Sequence, residues 1–468
     1  LAPMKRVILI FCVLAGLLAA CQPAVSSTPA PTQAVLGSLT AAPTPSPTPT
    51  TVPTEDPVAT ALRGREVMVW NGLGGSTSSS FTALVEEFNQ TNIWGIHVTV
   101  KNLPGSGALT TAMNAALDQG ELPQVVLASP DQLALWQSAG AAYADLRDFL
   151  DDPHWGMPAE EQAAFLPLFA IPTGDKPLTS LAGLTSLEVL AYNQTWAKAL
   201  GYSSAPVTFD DFTTQVCKAA ESLRLDDTRE NDGTGGWIVN TRALVMLSWL
   251  TVDGGDPIPA SENGNYTFNQ DDILLPYTRL WKWFNQNCAW LPRLTTVEDY
   301  FSNRQALIYS LPVEALALQE RAQIRAESAD QWTVLAYPNQ NGASSYASPL
   351  HYAVIQTNEY TDLASWLVAR WLLLPRSQAR LAESTLLLPT SSLATAELAD
   401  FRARHPQWAA AQDLLASARL SPALVSWRKA RTVLEDAGAQ TFISFTTQDR
   451  LPVLLKQLDQ TIQEVLAH

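Results

Sequence analysis

Charged side chains are scarce in this chain. Asp, Glu, Lys and Arg make up 16% of its 468 residues, and 45 acidic residues against 29 basic ones give a net charge of −16. No cluster of Lys and Arg forms a basic stripe, which argues against a nucleic-acid-binding surface. An acidic surface instead favours solubility beside an anionic membrane.

Sequence motifs of several common enzyme classes are also missing. The chain has no Gly-x-Ser-x-Gly nucleophile motif, no His-Glu-x-x-His zinc motif and no Gly-x-x-x-x-Gly-Lys phosphate loop. The acidic loop at 226–233 lacks the alternating ligands of a calcium loop. We therefore predict no metal, no cofactor and no catalytic residue. A glycosidase stays open as an alternative, because it needs only two carboxylates across a cleft.

Cysteine is scarce as well, with four residues in all. Cys12 and Cys21 fall in the N-terminal segment, which leaves Cys217 and Cys288 for the folded part. Both belong to helical patterns, and cysteines of an exported protein can pair because that compartment can be oxidising. We expect a disulfide between them, and two free buried thiols are the alternative.

The N-terminus has the features of an export signal. Lys5 and Arg6 precede an apolar run from Val7 to Ala20, which ends in small residues before Cys21. The run is short of the ~20 residues that a membrane-spanning helix needs, although a membrane anchor is the alternative. The segment resembles a bacterial lipoprotein signal. This resemblance implies a signal peptide at 1–20, a lipid on Cys21 and a place at the outer face of the cell membrane.

A segment rich in Pro, Thr, Ser and Ala follows the predicted lipidation site. Such sequence favours extended polyproline II structure and cannot bury a core. We predict a tether at 21–62.

Strand and helix patterns alternate after this tether. Short apolar runs at 66–70, 96–100 and 125–128 are typical of strands, and apolar residues at helical spacing separate them. This alternation predicts parallel β-α-β units and an α/β fold. Further strands are predicted at 187–193, 332–336 and 352–355, and residues 362–468 are predicted to be helical.

The order of these elements resembles the extracellular solute-binding proteins of ABC importers, in the sugar-binding branch related to maltose- and glycerol-phosphate-binding proteins. The resemblance is carried, in order, by Val67–Trp70 with its glycine turn, Gly120–Val126, Leu190–Asn193, Gly254–Asp256, Phe301–Ser310, Trp366 and Leu388-Pro389. Gln124 and Ala191 replace the residues usual in two of these segments. The likeness extends over nearly the whole chain after the tether.

This resemblance implies a periplasmic-binding-protein-like fold with two lobes, crossover hinge strands and a helical C-terminal region. Lobe 1 is expected at 63–188 and 341–395, and lobe 2 at 189–340. The C-terminal helices at 396–468 are expected to pack mainly on lobe 2. A ligand is expected in the cleft between the lobes, beyond the carboxyl ends of strands.

A carbohydrate site needs aromatic rings for the sugar faces and fixed polar groups for the hydroxyls. We therefore select aromatic and polar residues near strand ends or in the second lobe. The predicted ligand-binding residues are Trp70, Asn71, Ser129, Asp131, Glu188, Trp237, Trp249, Tyr309, Ser310 and Tyr346. Each has a plain alternative: a tryptophan can be core, Asp131 can cap a helix, and Glu188 can face outward from its strand.

The sequence thus predicts a monomeric, lipid-anchored binding protein without enzymatic activity. It would capture a carbohydrate-like solute, close its lobes around it and deliver it to the permease subunits of an ABC importer. The 15 tryptophans agree with a carbohydrate ligand, although most should be core. The alternatives are an envelope polysaccharide hydrolase and a sensor or scaffold lipoprotein that no longer takes part in transport.

Overall fold

Strands and helices alternate through the folded part of the chain. The computed structural model describes residues 57–293, 296–338 and 345–467, so the predicted signal peptide, Cys21 and the tether up to residue 56 lie outside the described residues. The strands are β1 (Glu66–Asn71), β2 (His97–Asn102), β3 (Val125–Ala128), β4 (Ser180–Asn193), β5 (Trp237–Ile238), β6 (Ala289–Trp290), β7 (Ile308–Pro312), β8 (Trp332–Leu335), β9 (Tyr346–Val354), β10 (Leu388–Pro389) and β11 (Arg419–Leu420).

The α-helices are α1 (Pro57–Leu62), α2 (Ser76–Thr91), α3 (Ser106–Gln119), α4 (Pro130–Ser138), α5 (Arg147–Leu150), α6 (Ala159–Ala163), α7 (Gln194–Ala199), α8 (Phe209–Arg224), α9 (Ala243–Leu250), α10 (Asp271–Asn285), α11 (Val297–Ser302), α12 (Leu316–Arg325), α13 (Glu359–Leu373), α14 (Pro375–Thr385), α15 (Ser392–Ala396), α16 (Ala399–Arg404), α17 (Pro406–Leu414), α18 (Trp427–Thr441) and α19 (Leu451–Ala467). Short 3-10 helices lie at Pro167–Phe169, Arg229–Asn231, Val313–Ala315, Leu415–Ser417 and Gln448–Arg450. Among the described residues, no helix is long and apolar enough to cross a bilayer.

The first sheet has the strand order β2-β1-β3-β9-β4. β1 pairs in parallel with both β2 and β3, and helices α2 and α3 connect these strands along the chain. The parallel β-α-β units predicted from the alternating patterns are therefore confirmed. β9 closes this arrangement by pairing antiparallel to both β3 and β4.

The long strand β4 belongs to two sheets. Its residues 180–187 pair with β9, whereas residues 188–193 pair with β7 and β8 of the second sheet. The second sheet continues from β7 through β5 to β6. β4 thus crosses from one sheet to the other between Leu187 and Glu188. We refer to each sheet with its packed helices as a lobe, and the predicted two-lobe α/β fold is confirmed.

A glycine is needed where β4 leaves regular pairing with β9. The register of the pair shifts between Ala182 and Leu184, and a Cβ on Gly183 would lie 2.5 Å from the Tyr352 ring. Real Cβ contacts are not that short, so a larger residue would push the ring or the strand away. Gly183 thus lets the Tyr352 side chain pack directly on the crossover strand.

Tryptophan fills the core of the second lobe. Trp237, Trp249 and Trp283 contact one another edge to face, with ring centroids 5.2–5.9 Å apart. Edge-to-face packing is favourable because the positive ring edge meets the negative ring face. Helices α18 and α19 contribute Leu434 and Leu455 to the same core. These C-terminal helices confirm the helical pattern predicted for this region.

A disulfide joins Cys217 of α8 to Cys288, as predicted. Cys288 follows α10 instead of lying within a helix, and it leads directly into β6. Its carbonyl oxygen lies so close to Gly236 that a Cβ there would overlap it, and Gly236 has a positive φ of 56°. The chain can approach the disulfide at this point only with a glycine.

Candidate ligand-binding site

A cavity of about 500 Å³ lies between the two lobes. Its first-lobe wall is built by the turn after β1, the start of α4 and part of β9. Its second-lobe wall is built by the start of α9 and one face of α18, and the crossover strand β4 passes between the two walls. The volume is within the ~300–1,000 Å³ typical of small-molecule sites.

Asn71 shapes the turn after β1 without reaching the cavity. Its side chain is fully buried, its Oδ1 accepts the backbone N–H of Leu73 at 2.9 Å, and its Nδ2 donates to Asn102 Oδ1 at 2.8 Å. Gly72 and Leu73, which this amide holds in place, do line the cavity. The prediction that Asn71 contacts a ligand is corrected to an indirect role, because both ends of its amide are used within the protein.

Ser129 and Asp131 meet the cavity where β3 leads into α4, as the sequence predicts. Ser129 precedes the helix, and Gln132 Oε1 accepts its backbone N–H at 3.1 Å. The Ser129 hydroxyl donates to Asp131 Oδ1 at 2.5 Å. The other carboxylate oxygen of Asp131 accepts a hydrogen bond from Arg428 of α18 at 2.8 Å. Asp131 is therefore a point of contact between the lobes as well as part of the cavity wall.

Glu188 lines the cavity at the crossover of β4. Its Oε2 accepts a hydrogen bond from Arg242 Nη2 at 2.7 Å, and the residue is only 5% exposed. Burial raises the pKa of this carboxyl to about 7; Arg242 opposes the shift, and the negative charge of Glu314 adds to it. A group that is half ionised near neutral pH thus lies on the wall of the site.

One face of α18 adds three residues that the sequence analysis missed. Trp427, Arg431 and Glu435 all line the cavity and recur at intervals of four, which places them on the same side of a helix. Glu435 Oε1 accepts the backbone N–H of Ala243 at 3.0 Å, which ties α18 to the first residue of α9. This spacing is visible in the sequence, but only the packing of α18 beside the cavity shows that the three residues face the site.

Three predicted stacking tryptophans are core residues instead. Trp237 and Trp249 have no exposed surface, since they lie in the aromatic core of the second lobe. Trp70 packs with the apolar residues of α3 and α4, and its ring is covered by Lys101 Nζ, 3.9 Å from the ring centroid. In the structure described, these three rings are buried and do not line the interlobe cavity.

The remaining predicted residues also lie away from the interlobe cavity. Tyr309 is buried, and its hydroxyl donates to Gln319 Oε1 at 2.8 Å. Ser310 is buried beside it, and both border a separate cavity of about 410 Å³ in the second lobe. Tyr346 packs in the second-lobe core at the start of β9. Of the predicted residues, Ser129, Asp131 and Glu188 are therefore the ones that the structure brings together on the cavity wall.

The chemistry of the wall is polar and mixed in charge. Carboxylates (Asp131, Glu188, Glu314 and Glu435) and guanidinium groups (Arg242 and Arg431) alternate with apolar surface from Leu350 and Trp427. Among the described residues, no group of three or more His, Cys, Asp or Glu could hold a metal ion. The arrangement can bind a small polar solute by hydrogen bonds, and Trp427, which is only 3% exposed, contributes to the apolar part of the wall.

Comparison with known protein families gives one match. Residues 83–414 match the profile described as "Bacterial extracellular solute-binding protein". None of the curated proteins matches the chain in sequence.

Many solved structures share the fold. A cyclic α-maltosyl-1,6-maltose-binding protein from Arthrobacter globiformis is 16% identical, with a TM-score of 0.70 over 86% of this chain and 99% of that one. The sugar-binding protein MalE from Xanthomonas citri is 17% identical, with a TM-score of 0.70 over 86% and 97% of the two chains. The ABC substrate-binding protein Lmo0181 from Listeria monocytogenes, in complex with cycloalternan, is 15% identical, with a TM-score of 0.66 over 86% and 99%.

Proposed function

Because this chain belongs to the bacterial extracellular solute-binding proteins, we propose that it captures a carbohydrate-like solute between its lobes and delivers it to an ABC importer. The observation that carries this proposal is the cavity itself. It lies where the lobes face each other, and both lobes contribute polar side chains to its wall. A solute bound there touches both lobes at once.

A carbohydrate suits the chemistry of this wall. Sugar hydroxyls both donate and accept hydrogen bonds, and the wall offers carboxylate acceptors, guanidinium donors and the hydroxyls of Ser129, Ser186 and Ser348. Apolar surface from Leu350 and Trp427 can pack against the C–H groups of a sugar ring. Support also comes from the proteins of similar fold, whose names describe maltose-type, cycloalternan and other sugar ligands.

Closure of the lobes would couple binding to delivery. β4 crosses between the sheets, and a few residues at such a crossing can absorb a rotation of one lobe against the other. A solute favours the closed form only if it binds that form more tightly than the open one. Contacts to Ser129 and Asp131 on one wall and to Trp427 and Arg431 on the other would supply this difference. The importer would then recognise the closed form.

The test is to identify the solute that the native protein carries. We expect mass spectrometry of the gently purified full chain to find an intact saccharide. Asp131→Asn should reduce its recovery, since Asp131 lines the cavity, whereas Asp148→Asn, an exposed change in α5, should not. With this solute added to ligand-free protein, X-ray scattering should show a smaller radius of gyration. Recovery of cleavage products would favour the polysaccharide hydrolase instead.

Lipid anchoring through Cys21 is the second part of the proposal. It is supported by the basic, apolar and small-residue segments that precede Cys21 in the sequence. We expect Cys21→Ala to leave the protein without lipid and outside the membrane fraction, while Cys12→Ala should leave its location unchanged. A Cys21→Ala protein that still sediments with membranes would contradict the anchor.

A further inference from the structure

Two carboxylates share one corner of the cavity, where β4 crosses between the sheets. Ser186 and Glu188 lie two residues apart on this strand, so their side chains point to the same face. The Ser186 hydroxyl donates a hydrogen bond to Oε2 of Glu314 at 2.5 Å. This contact brings the Glu314 carboxylate to the face that carries Glu188, and all three residues line the cavity.

This corner holds more negative than positive charge. Arg242 forms an ion pair with Glu188, with 2.7 Å between Nη2 and Oε2. Within the described residues, Arg242 is the one Arg or Lys within ion-pair distance of Glu188, and none lies within that distance of Glu314. The one guanidinium group at this corner therefore pairs with Glu188, and the exposed Glu314 carboxylate has the Ser186 hydroxyl as its partner.

The environment of Glu188 makes this charge excess costly. The residue is buried, and burial is the main reason that its pKa is raised to about 7, with the Glu314 charge acting in the same direction. A buried charge is favourable only when it is paired and hydrogen-bonded. Glu188 already has Arg242 as its partner, so a cation that entered the cavity would pair with the Glu314 carboxylate and offset its charge beside the buried Glu188.

An ammonium group suits this corner better than a metal ion does. Calcium takes 6–8 oxygen ligands, and among the described residues no cluster of three potential metal ligands exists. An ammonium group has three N–H donors, and the corner offers acceptors on Glu188, Glu314 and the Ser186 hydroxyl. Arg431, on α18, is the cavity residue that would instead favour an acidic sugar.

We propose that Glu188 and Glu314 bind an ammonium group of the solute, so that the substrate class is an amino sugar or an oligosaccharide that contains one. This inference rests on the proposed solute-binding function and narrows it. Glu314 is the specificity-determining residue in this arrangement, because it brings the second negative charge without an arginine of its own. Arg242 opposes the rise in the pKa of Glu188 and holds its carboxylate in position.

The test compares sugars of similar size that carry an amino, acetamido, hydroxyl or carboxylate group. Calorimetry at pH 7 with the full chain would use glucosamine, N-acetylglucosamine, glucose and glucuronic acid, and then chitobiose, diacetylchitobiose and cellobiose. We expect at least one amine to bind about 10- to 100-fold more tightly than its acetamido and hydroxyl counterparts, as a charge-assisted hydrogen bond predicts. Glu314→Gln should remove this preference. Glu121→Gln, an exposed change after α3, should retain it.

Several results would overturn the inference. The first is glucose, cellobiose, an acetamido sugar or glucuronic acid binding as tightly as the matched amine. The second is an absence of binding by every amine in the set. An amine preference that survives in Glu314→Gln would also overturn it. Tight binding of a neutral sugar with compaction of the protein would uphold the proposed function while rejecting the amino group. Loss of the function itself would show separately, as native protein that carries no solute.

Discussion

Arg428 Nη1 lies 2.8 Å from Oδ2 of Asp131, and this ion pair joins α18 of the second lobe to α4 of the first. Both side chains are largely shielded from solvent, with 21% and 12% of their surfaces exposed. Arg428 Nη2 also lies 3.4 Å from Thr110 Oγ1 in α3. The protein thus supplies its own contact across the cavity, next to the residues proposed to bind the solute.

Removing this contact should favour a more open molecule. We expect Arg428→Gln to increase the radius of gyration of the ligand-free protein in X-ray scattering, because the lobes lose their shielded ion pair. A double-mutant cycle with Asp131→Asn should give a coupling energy on the order of 1 kcal/mol. Arg325→Gln breaks an exposed ion pair with Asp299 and should leave the radius unchanged. Equal radii of gyration for the parent, Arg428→Gln and Arg325→Gln would show that the Arg428–Asp131 ion pair does not hold the lobes together.

The disulfide should stabilise the second lobe. It links Cys217 to Cys288 over a sequence separation of 71, for which the chain-entropy model gives ~4 kcal/mol. We expect Cys217→Ser/Cys288→Ser to lower the free energy of unfolding by up to about this amount in urea denaturation. Thiol titration of the denatured, unreduced protein should find neither of these cysteines free. Two reactive thiols from these positions would contradict the bond.

Trp249 and Trp427 should respond differently to substitution. Trp249→Ala leaves a large hole in the aromatic core, and we expect a loss of ~3–5 kcal/mol in the free energy of unfolding. Trp427 lies in the same core at 3% exposure but also lines the cavity, so we expect Trp427→Phe, which keeps a ring against Tyr266, to weaken binding of the recovered solute and to cost less stability than Trp249→Ala. Calorimetry and urea denaturation of both variants measure the two effects. Unchanged affinity in Trp427→Phe would remove that indole from the proposed site.

Glu188 should make stability fall as the pH rises. Its pKa is raised from 4.5 to about 7, so the folded protein holds a proton that the unfolded chain has lost between these values. Its contribution is therefore greatest below pH 4.5 and decreases up to pH 7, by on the order of 2–3 kcal/mol. Burial is the main cause of the raised pKa, Arg242 opposes it, and the negative charge of Glu314 adds to it.

Glu188→Gln should remove that dependence. His351 acts in the opposite direction, because burial lowers its pKa from 6.5 to about 4 and stability is lost as the pH falls through this range. We therefore expect the variant to gain stability more steeply than the parent between pH 4.5 and 6.5 in urea denaturation. Glu121→Gln, an exposed change, should follow the parent. Identical profiles for Glu188→Gln and the parent would show that Glu188 titrates normally.

Much of the fold could be predicted because local patterns of apolar and polar residues indicate strands and helices. The short apolar run at 125–128 forms the buried strand β3. The helical spacing of Phe81, Leu84, Val85 and Phe88 produces α2. The ends of the strands were harder to predict from the sequence. The segment predicted as a strand at 187–193 is the second half of β4, since pairing with β9 extends the strand back to Ser180.

The site was harder to predict because aromatic residues serve two purposes. Trp237 and Trp249 have the chemistry of a sugar platform, but an indole is also an effective core residue, and both are used in that way. Polar residues were more informative. Glu188 interrupts an otherwise apolar strand, and Asp131 follows one. Burying a carboxylate without a partner is costly, which favours places where a partner or a cavity exists.

The sequence by itself determined the order of strands and helices, the pairing of Cys217 with Cys288, and the family resemblance. These features depend on residue type and on spacing along the chain. Only the tertiary structure decided which polar groups meet. Arg242, Glu314 and Arg431 are far apart in sequence, and nothing local marks them as neighbours of Glu188 or of one cavity. They converge because β4 crosses between two sheets and α18 packs beside that crossing, and such contacts depend on the folding of the whole chain.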